Sequence, residues 1–136
     1  MKISTKGRYG LMLLVDLAMN QAGAPVSLKS IADRQGLSEH YLEQLIAPLR
    51  NAGIVRSIRG AYGGYVLAKP TTEIRVSDII LTLEGPISIV DEDVHDGLEE
   101  LWERLRQAIV SVLESLTLQD LVDMKHQGGE TFMYYI

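Results

Sequence analysis

From Thr5 to Asn20 the apolar residues crowd nearly every side of the chain: Leu11, Met12, Leu13, Leu14, Val15, Leu17 and Ala18. A helix with so little polar surface must be covered almost all round, and Gly23 and Pro25 end it. Ser27 then caps a short helix with Leu28, Ile31 and Ala32 on one face, and Gly36 suits the left-handed residue that closes it. Ser38 caps the next helix, with Glu39 favourably placed in its first turn. Leu42, Leu45, Ile46 and Leu49 follow at i, i+3, i+4 and i+7, a single buried stripe. The opposite side shows Glu39, His40, Glu43 and Gln44. Pro48 removes a backbone donor and is expected to kink this helix or end it early.

After Gly53 the pattern changes to strands. Ile54 to Ile58 and Tyr65 to Ala68 are β-rich runs, and between them Arg59-Gly60-Ala61-Tyr62-Gly63-Gly64 puts three glycines into six residues, a tight hairpin tip. Val76 to Leu83 predicts a short helix begun by Ser77 or Asp78 and broken by Gly85-Pro86. An acidic loop, Asp91 to Asp96, precedes a long helix over about 97–116. There Leu98, Trp102, Leu105, Ile109, Val112 and Leu116 are spaced 4, 3, 4, 3 and 4, a coiled-coil-like seam. Such a seam either covers the core of its own domain or pairs with another chain; the charged flanks Glu99, Glu103 and Arg106 fit pairing. Thr117 caps a last short helix to roughly Lys125, after which Gly128-Gly129 unlink the final residues.

Two short helices around a glycine-containing turn, the second amphipathic, describe a helix-turn-helix. Helical pairs and glycine-rich hairpins are each common, but three helices followed by two strands with a basic glycine tip is a more specific order. The expected fold is mainly α with a small β-hairpin wing: a winged helix-turn-helix domain over 1–85, an acidic loop and dimerisation helices over 86–129, and a tail over 130–136. The recognition helix enters the major groove by its N-terminal residues, here Ser38, Glu39, His40, Tyr41 and Glu43. Glutamate accepts from cytosine N4, and serine addresses several bases. Arg59, with Tyr62 beside it on the tip, suits the negative potential of a narrow minor groove. Lys2, Lys6, Arg8, Lys29, Arg50 and Arg56 are phosphate-contact candidates.

The net charge of −5 argues at first against nucleic acid. Its distribution reverses that argument. Nine of the 13 Lys+Arg and four of the 18 Asp+Glu lie in residues 1–70, a net +5, against −10 for the remainder. One half is built to meet phosphate and the other is not. With no cysteine, disulfides and cysteine-held zinc or iron–sulfur clusters are excluded. No apolar run approaches a membrane span, and the N-terminus lacks the pattern of a signal peptide, so a cytoplasmic location is expected. No nucleophile–base pairing or phosphate loop points to catalysis, and neither a metal nor a cofactor is called for. His95 and His126 fall in or near polar loops.

Leu28 to Ala32, Leu37 to Leu45 and Leu49 to Val55 resemble the IscR-like (Rrf2) family of bacterial transcription regulators. Ser57 to Tyr65 is similar to that family's wing, and Met1 to Gly10, Leu83 to Ser88 and Tyr134 to Ile136 extend the likeness to nearly the whole chain. The resemblance implies a homodimeric repressor of sulfur-assimilation and cysteine-synthesis genes that binds double-stranded DNA at a two-fold operator. It also implies a partner, the cysteine synthase O-acetylserine thiol-lyase, whose complex responds to O-acetylserine. Proteins that bind this enzyme insert a C-terminal isoleucine into its active site, so the resemblance implies Tyr134, Tyr135 and Ile136 as partner-binding residues; the alternative is that this apolar tip folds back onto the body. Cluster-binding members carry cysteines in the loop before the long helix; this chain has Val90, Asp91 and His95 there, so cluster sensing does not carry over. The alternatives are a family member answering another signal, such as iron or nitric oxide, a winged-helix module that binds protein, and an enzyme of sulfur metabolism.

Overall fold

The computed structural model describes the backbone of residues 2–134 and the side chains of residues 2–128. Among the described residues, six α-helices and one antiparallel hairpin follow in the order α1 (Thr5–Asn20), α2 (Leu28–Gln35), α3 (Glu39–Asn51), β1 (Val55–Ile58), β2 (Gly64–Leu67), α4 (Val76–Glu84), α5 (Glu99–Ser115) and α6 (Leu118–Tyr134). No helix among the described residues is long and apolar enough to cross a membrane.

The first three helices start where their serines dictate. Ser4, Ser27 and Ser38 each sit in extended backbone, and each side-chain oxygen accepts the amide of the third residue on, from Gly7, Ser30 and Tyr41. Gly36 closes α2 in the left-handed conformation, φ 68°. The core is shared by these helices: Leu13, Leu14 and Leu17 of α1, Ile31 of α2, and Leu42, Leu45, Ile46 and Leu49 of α3 are buried, joined by Val55, Leu67, Ile79 and Leu118. α1 is covered by α2, α3, β2, α4 and α6, but not all round: Leu11, Met12 and Val15 are only partly buried, Met19 is exposed, and they line an open apolar groove beside α6.

α1 and α2 are also tied by charge. Asp16 is only 5% exposed. It accepts from Arg34 Nη2 at 2.6 Å, from Arg34 Nε at 3.0 and 3.1 Å, and from Gln35 Nε2 at 2.8 Å. Its carboxylate raises the Arg34 pKa above the ordinary guanidinium value, chiefly through that hydrogen bond.

The hairpin pairs Val55 with Leu67, Arg56 with Val66, Ser57 with Tyr65 and Ile58 with Gly64. A third strand-like contact anchors it. Val26 N donates to Tyr65 O at 2.9 Å and Tyr65 N donates to Val26 O at 2.8 Å. Gly64 is required there, since a Cβ would overlap the Val26 carbonyl.

Three expectations need correction. Pro48 does not end α3, which runs on to Asn51. Leu45, Ile46 and Leu49, before and after Pro48 in the helix, are buried in the core, and Ala52 N closes the last turn on Pro48 O at 3.0 Å. α4 begins at Val76, with Arg75 as N-cap and no side-chain cap, so neither Ser77 nor Asp78 starts it. Gly128 and Gly129 do not unlink the end of the chain, because α6 continues as helix to Tyr134. Glycine weakens a helix by about 1 kcal/mol per residue without forbidding it. The start of α6 is as expected: Thr117 Oγ1 accepts from Asp120 N, and Asp120 Oδ2 accepts from Thr117 N at 2.8 Å, a reciprocal cap.

Candidate nucleic-acid interface

α3 presents one buried and one polar side. Leu42, Leu45, Ile46 and Leu49 enter the core, whereas Ser38, Glu39, His40, Glu43, Gln44 and Arg50 are exposed. His40 and Gln44, one turn apart, approach at 3.3 Å. Between this polar side, the start of α2 and the hairpin lies an open groove of about 450 Å³, bounded by Ser27, Glu39, Glu43, Ala47, Arg50 and Tyr65. The Arg50 guanidinium donates to the Tyr65 hydroxyl at 3.4 Å, which ties the second half of α3 to β2.

Tyr41 is placed differently from its neighbours. Its ring is half-buried and meets Tyr9 edge-on, with centroids 6.0 Å apart and planes at 88°. It locks α3 to α1 from the first turn of α3, and its amide satisfies the Ser38 cap at 3.1 Å.

The wing tip projects beyond the paired residues. Arg56 and Arg59 are exposed, and Tyr62 is 94% exposed, the barest large hydrophobic residue among those described. Gly63 permits this turn, since a Cβ would overlap the Ile58 carbonyl. The basic side chains fall at the helix starts: Lys2 and Lys6 at the N-terminus of α1, and Lys29 in the first turn of α2, all exposed. Arg8 is exposed as well, and with Lys125 it lines a separate apolar groove between α1 and α6. The structure therefore brings the α3 face, the wing and the Lys2, Lys6 and Lys29 cations onto elements of one head.

α5 divides the expected seam between two sides. Trp102 is half-buried and faces its own chain: its indole N–H donates to Asp96 at 3.1 and 3.2 Å, and with Ile87, Val90 and Val94 it walls a hollow under the acidic loop. Leu116 is half-buried, and its carbonyl accepts from Val76 N at 2.9 Å. Ile109 is partly covered. Leu98, Leu105 and Val112 instead point outward with Leu101, a residue the seam omitted, and the four are between 41% and 57% exposed. No residue of α5 is buried. Beside this row, Glu103 accepts from Arg106 at 2.6 and 2.9 Å, and that guanidinium holds the Glu103 carboxyl below the usual range.

A three-helix head with a polar second reading helix, cationic helix starts and a basic hairpin tip defines a winged helix-turn-helix DNA-binding protein. Comparison with known proteins agrees. Residues 3–124 match the Rrf2 family, described as an iron-dependent transcriptional regulator, and the chain belongs to that family. The regulator CymR of Bacillus subtilis (strain 168) is 56% identical over 138 residues, covering all of both chains. The solved structure of CymR, titled the global cysteine regulator of B. subtilis, superposes with a TM-score of 0.82 at 57% identity, covering 91% of this chain and 98% of that one. Staphylococcus aureus CymR gives 0.75 at 52% identity, over 88% of this chain and 96% of that one. The regulator IscR of Photorhabdus laumondii is 35% identical over 90% of this chain and 80% of its own. The protein is a DNA-binding transcription regulator, not an enzyme.

The family description names iron. The residues here do not fit an iron–sulfur cluster: the sequence has no cysteine, and among the described residues no group of three His, Asp or Glu is placed to hold a metal ion.

Proposed function

We propose that two copies of this chain pair through the outward row Leu98, Leu101, Leu105 and Val112 and repress genes of cysteine and sulfur metabolism from a two-fold operator. The observation that carries the pairing is that row. Four large apolar side chains are spaced 3, 4 and 7, from the N-cap Leu98 along a 17-residue helix none of whose residues is fully buried in its own chain, and coiled-coil pairing covers such a row. Pairing also places two reading heads at once, as two-fold operators require. Full-length likeness to CymR supports the choice of target genes. In this reading Ser38, Glu39, His40 and Glu43 meet base edges, Tyr41 holds α3 in place, and Arg59 with Tyr62 follows the minor groove. Lys2, Lys6, Lys29, Arg50 and Arg56 meet phosphates, with half-site centres about 34 Å or a small multiple apart. The experiment is to sequence the genomic fragments that the immobilised protein retains from its own bacterium. Recovery of two-fold sequences upstream of sulfur-assimilation genes is expected; enrichment of unrelated promoters would overturn the assignment of targets.

The same reading includes a complex with cysteine synthase, docked through Tyr134, Tyr135 and Ile136. Tyr135 and Ile136, and the side chain of Tyr134, lie outside the described residues, so the family resemblance alone supports this part. Calorimetric titration of the synthase with the full chain should give heat that is lost when the last three residues are removed. Equal affinity of both chains, or no binding by either, refutes the docking.

A further inference from the structure

The first turn of α1 is capped across the fold. Ser4 is its N-cap, and its hydroxyl oxygen accepts from Gly7 N at 3.1 Å. In a capping box the third helical residue is Glu or Gln, whose side chain reaches back to the amide of the cap. That third residue is Gly7, which has no side chain. Glu84, at the last turn of α4, supplies the missing acceptor. Its Oε1 accepts from Ser4 N at 2.7 Å and from the Ser4 hydroxyl as well. Glycine at position 7 is the condition for this contact, because a Cβ there would overlap the Glu84 carboxylate; at Gly10 a Cβ would overlap Leu83 in the same way. Two glycines of α1 thus receive two consecutive residues of α4.

A carboxylate is an unexpected neighbour for the exposed cations Lys2 and Lys6 at a DNA-facing surface. As a bare charge it would repel phosphate. We infer that Glu84 is a positioning residue for DNA binding: by fixing the Ser4 amide and hydroxyl it orders the turn that carries Lys2 and Lys6, so that their ammonium groups meet the phosphate backbone without first losing the freedom of a loose terminus. The inference rests on the reading of Lys2 and Lys6 as phosphate contacts. It also gives the junction after α4 a route to the DNA surface, since Glu84 is followed at once by Gly85-Pro86 and the segment leading to α5.

The test measures fluorescence anisotropy of a labelled mixed-sequence 30-base-pair duplex with the full-length protein across a salt series, after circular dichroism has shown each variant folded. Glu84→Ala should weaken binding about 3- to 10-fold at low salt and reduce the slope of log affinity against log salt by about one, the share of one phosphate contact. Glu84→Gln keeps a carbonyl acceptor for Ser4 and should restore most of the affinity. The double variant Gly7→Glu with Glu84→Ala builds the local capping box and should restore it too. If both single variants at Glu84 bind more tightly and by the same factor, the carboxylate acts only by charge and the inference is wrong. A Glu84→Ala protein with a lower melting temperature and an unchanged salt slope also overturns it. Absence of salt-dependent DNA binding by the unaltered protein would instead bring down the phosphate-contact reading, and this inference with it.

Discussion

The Asp16–Arg34 pair predicts an asymmetry between two truncations. The Asp16 side chain is 3% exposed and the Arg34 side chain 39%. Arg34→Ala strands a buried carboxylate that keeps only neutral amide donors, Gln35 at 2.8 Å and Asn20 at 3.3 Å. Breaking a buried pair in this direction costs about 3–5 kcal/mol. Asp16→Ala strands a guanidinium that is already partly in water and still reaches the Ser30 hydroxyl at 3.3 Å, so the loss is one of hydrogen bonds, about 1–2 kcal/mol. Removing the more exposed partner should therefore be the more damaging change, by roughly 2 kcal/mol. Adding Asp16→Ala to Arg34→Ala should recover part of the loss, because the stranded charge is gone. Urea titration followed by far-ultraviolet circular dichroism, at one fixed protein concentration because association raises apparent stability, gives all three differences. An Asp16→Ala protein as unstable as Arg34→Ala, or a double variant worse than either, would refute the reasoning.

The remaining predictions concern the DNA and pairing surfaces. Arg59→Ala should weaken operator binding by about 1–3 kcal/mol, the size of one good base-edge contact, and unchanged operator affinity in a gel-shift titration at moderate salt would remove the wing from the reading surface. Lys6→Ala should weaken operator and random duplex alike and flatten the salt slope by about one. Charged residues at both Leu101 and Leu105 should give folded monomers in sedimentation velocity, because burying unpaired charge costs several kcal/mol; an intact dimer would place the interface elsewhere. Gly10→Ala should lower stability by about 1–3 kcal/mol, the usual cost of overpacking, and a melting curve equal to that of the unaltered protein would mean that Leu83 yields freely.

What the chain revealed by itself was local. Each of Ser4, Ser27 and Ser38 reaches an amide three residues ahead, so a cap of that kind is written within one turn of sequence; Ser27 and Ser38 were legible on those grounds. The second half of the Ser4 cap comes from Glu84, and no window along the sequence contains both. The long helix shows another limit. Its apolar residues admit two adjacent stripes, one through Leu98, Trp102, Leu105 and Ile109 and one through Leu98, Leu101, Leu105 and Val112. Spacing alone does not say which side its own chain takes; the indole N–H of Trp102 found Asp96 and settled it. Pro48 shows a third limit. Local propensity is a weak prior, and the packing of Leu45, Ile46 and Leu49 on either side of Pro48 outweighs it. The acidic second half and basic first half were visible as counts, and the Thr5 and Ser27 helix starts already put Lys2, Lys6 and Lys29 at helix N-termini.

The junction of α4, α5 and α6 is stitched like a short strand pair. Arg75 bridges Thr117, Val76 N meets Leu116 O at 2.9 Å, and Leu118 N meets Ile74 O at 2.8 Å. Arg75 adds a 2.6 Å bond from its guanidinium to Glu114 O. The long helix is thereby welded to the head in the manner of a caliper arm riveted at its root. A caliper of this kind measures length. In the proposed dimer, where two arms meet at their pairing rows, the distance between the reading heads would be set by the protein and would not adjust to the DNA. One extra base pair between half-sites displaces the second head by about 3.4 Å along the duplex and about 35° around it, and a riveted arm has no joint with which to follow.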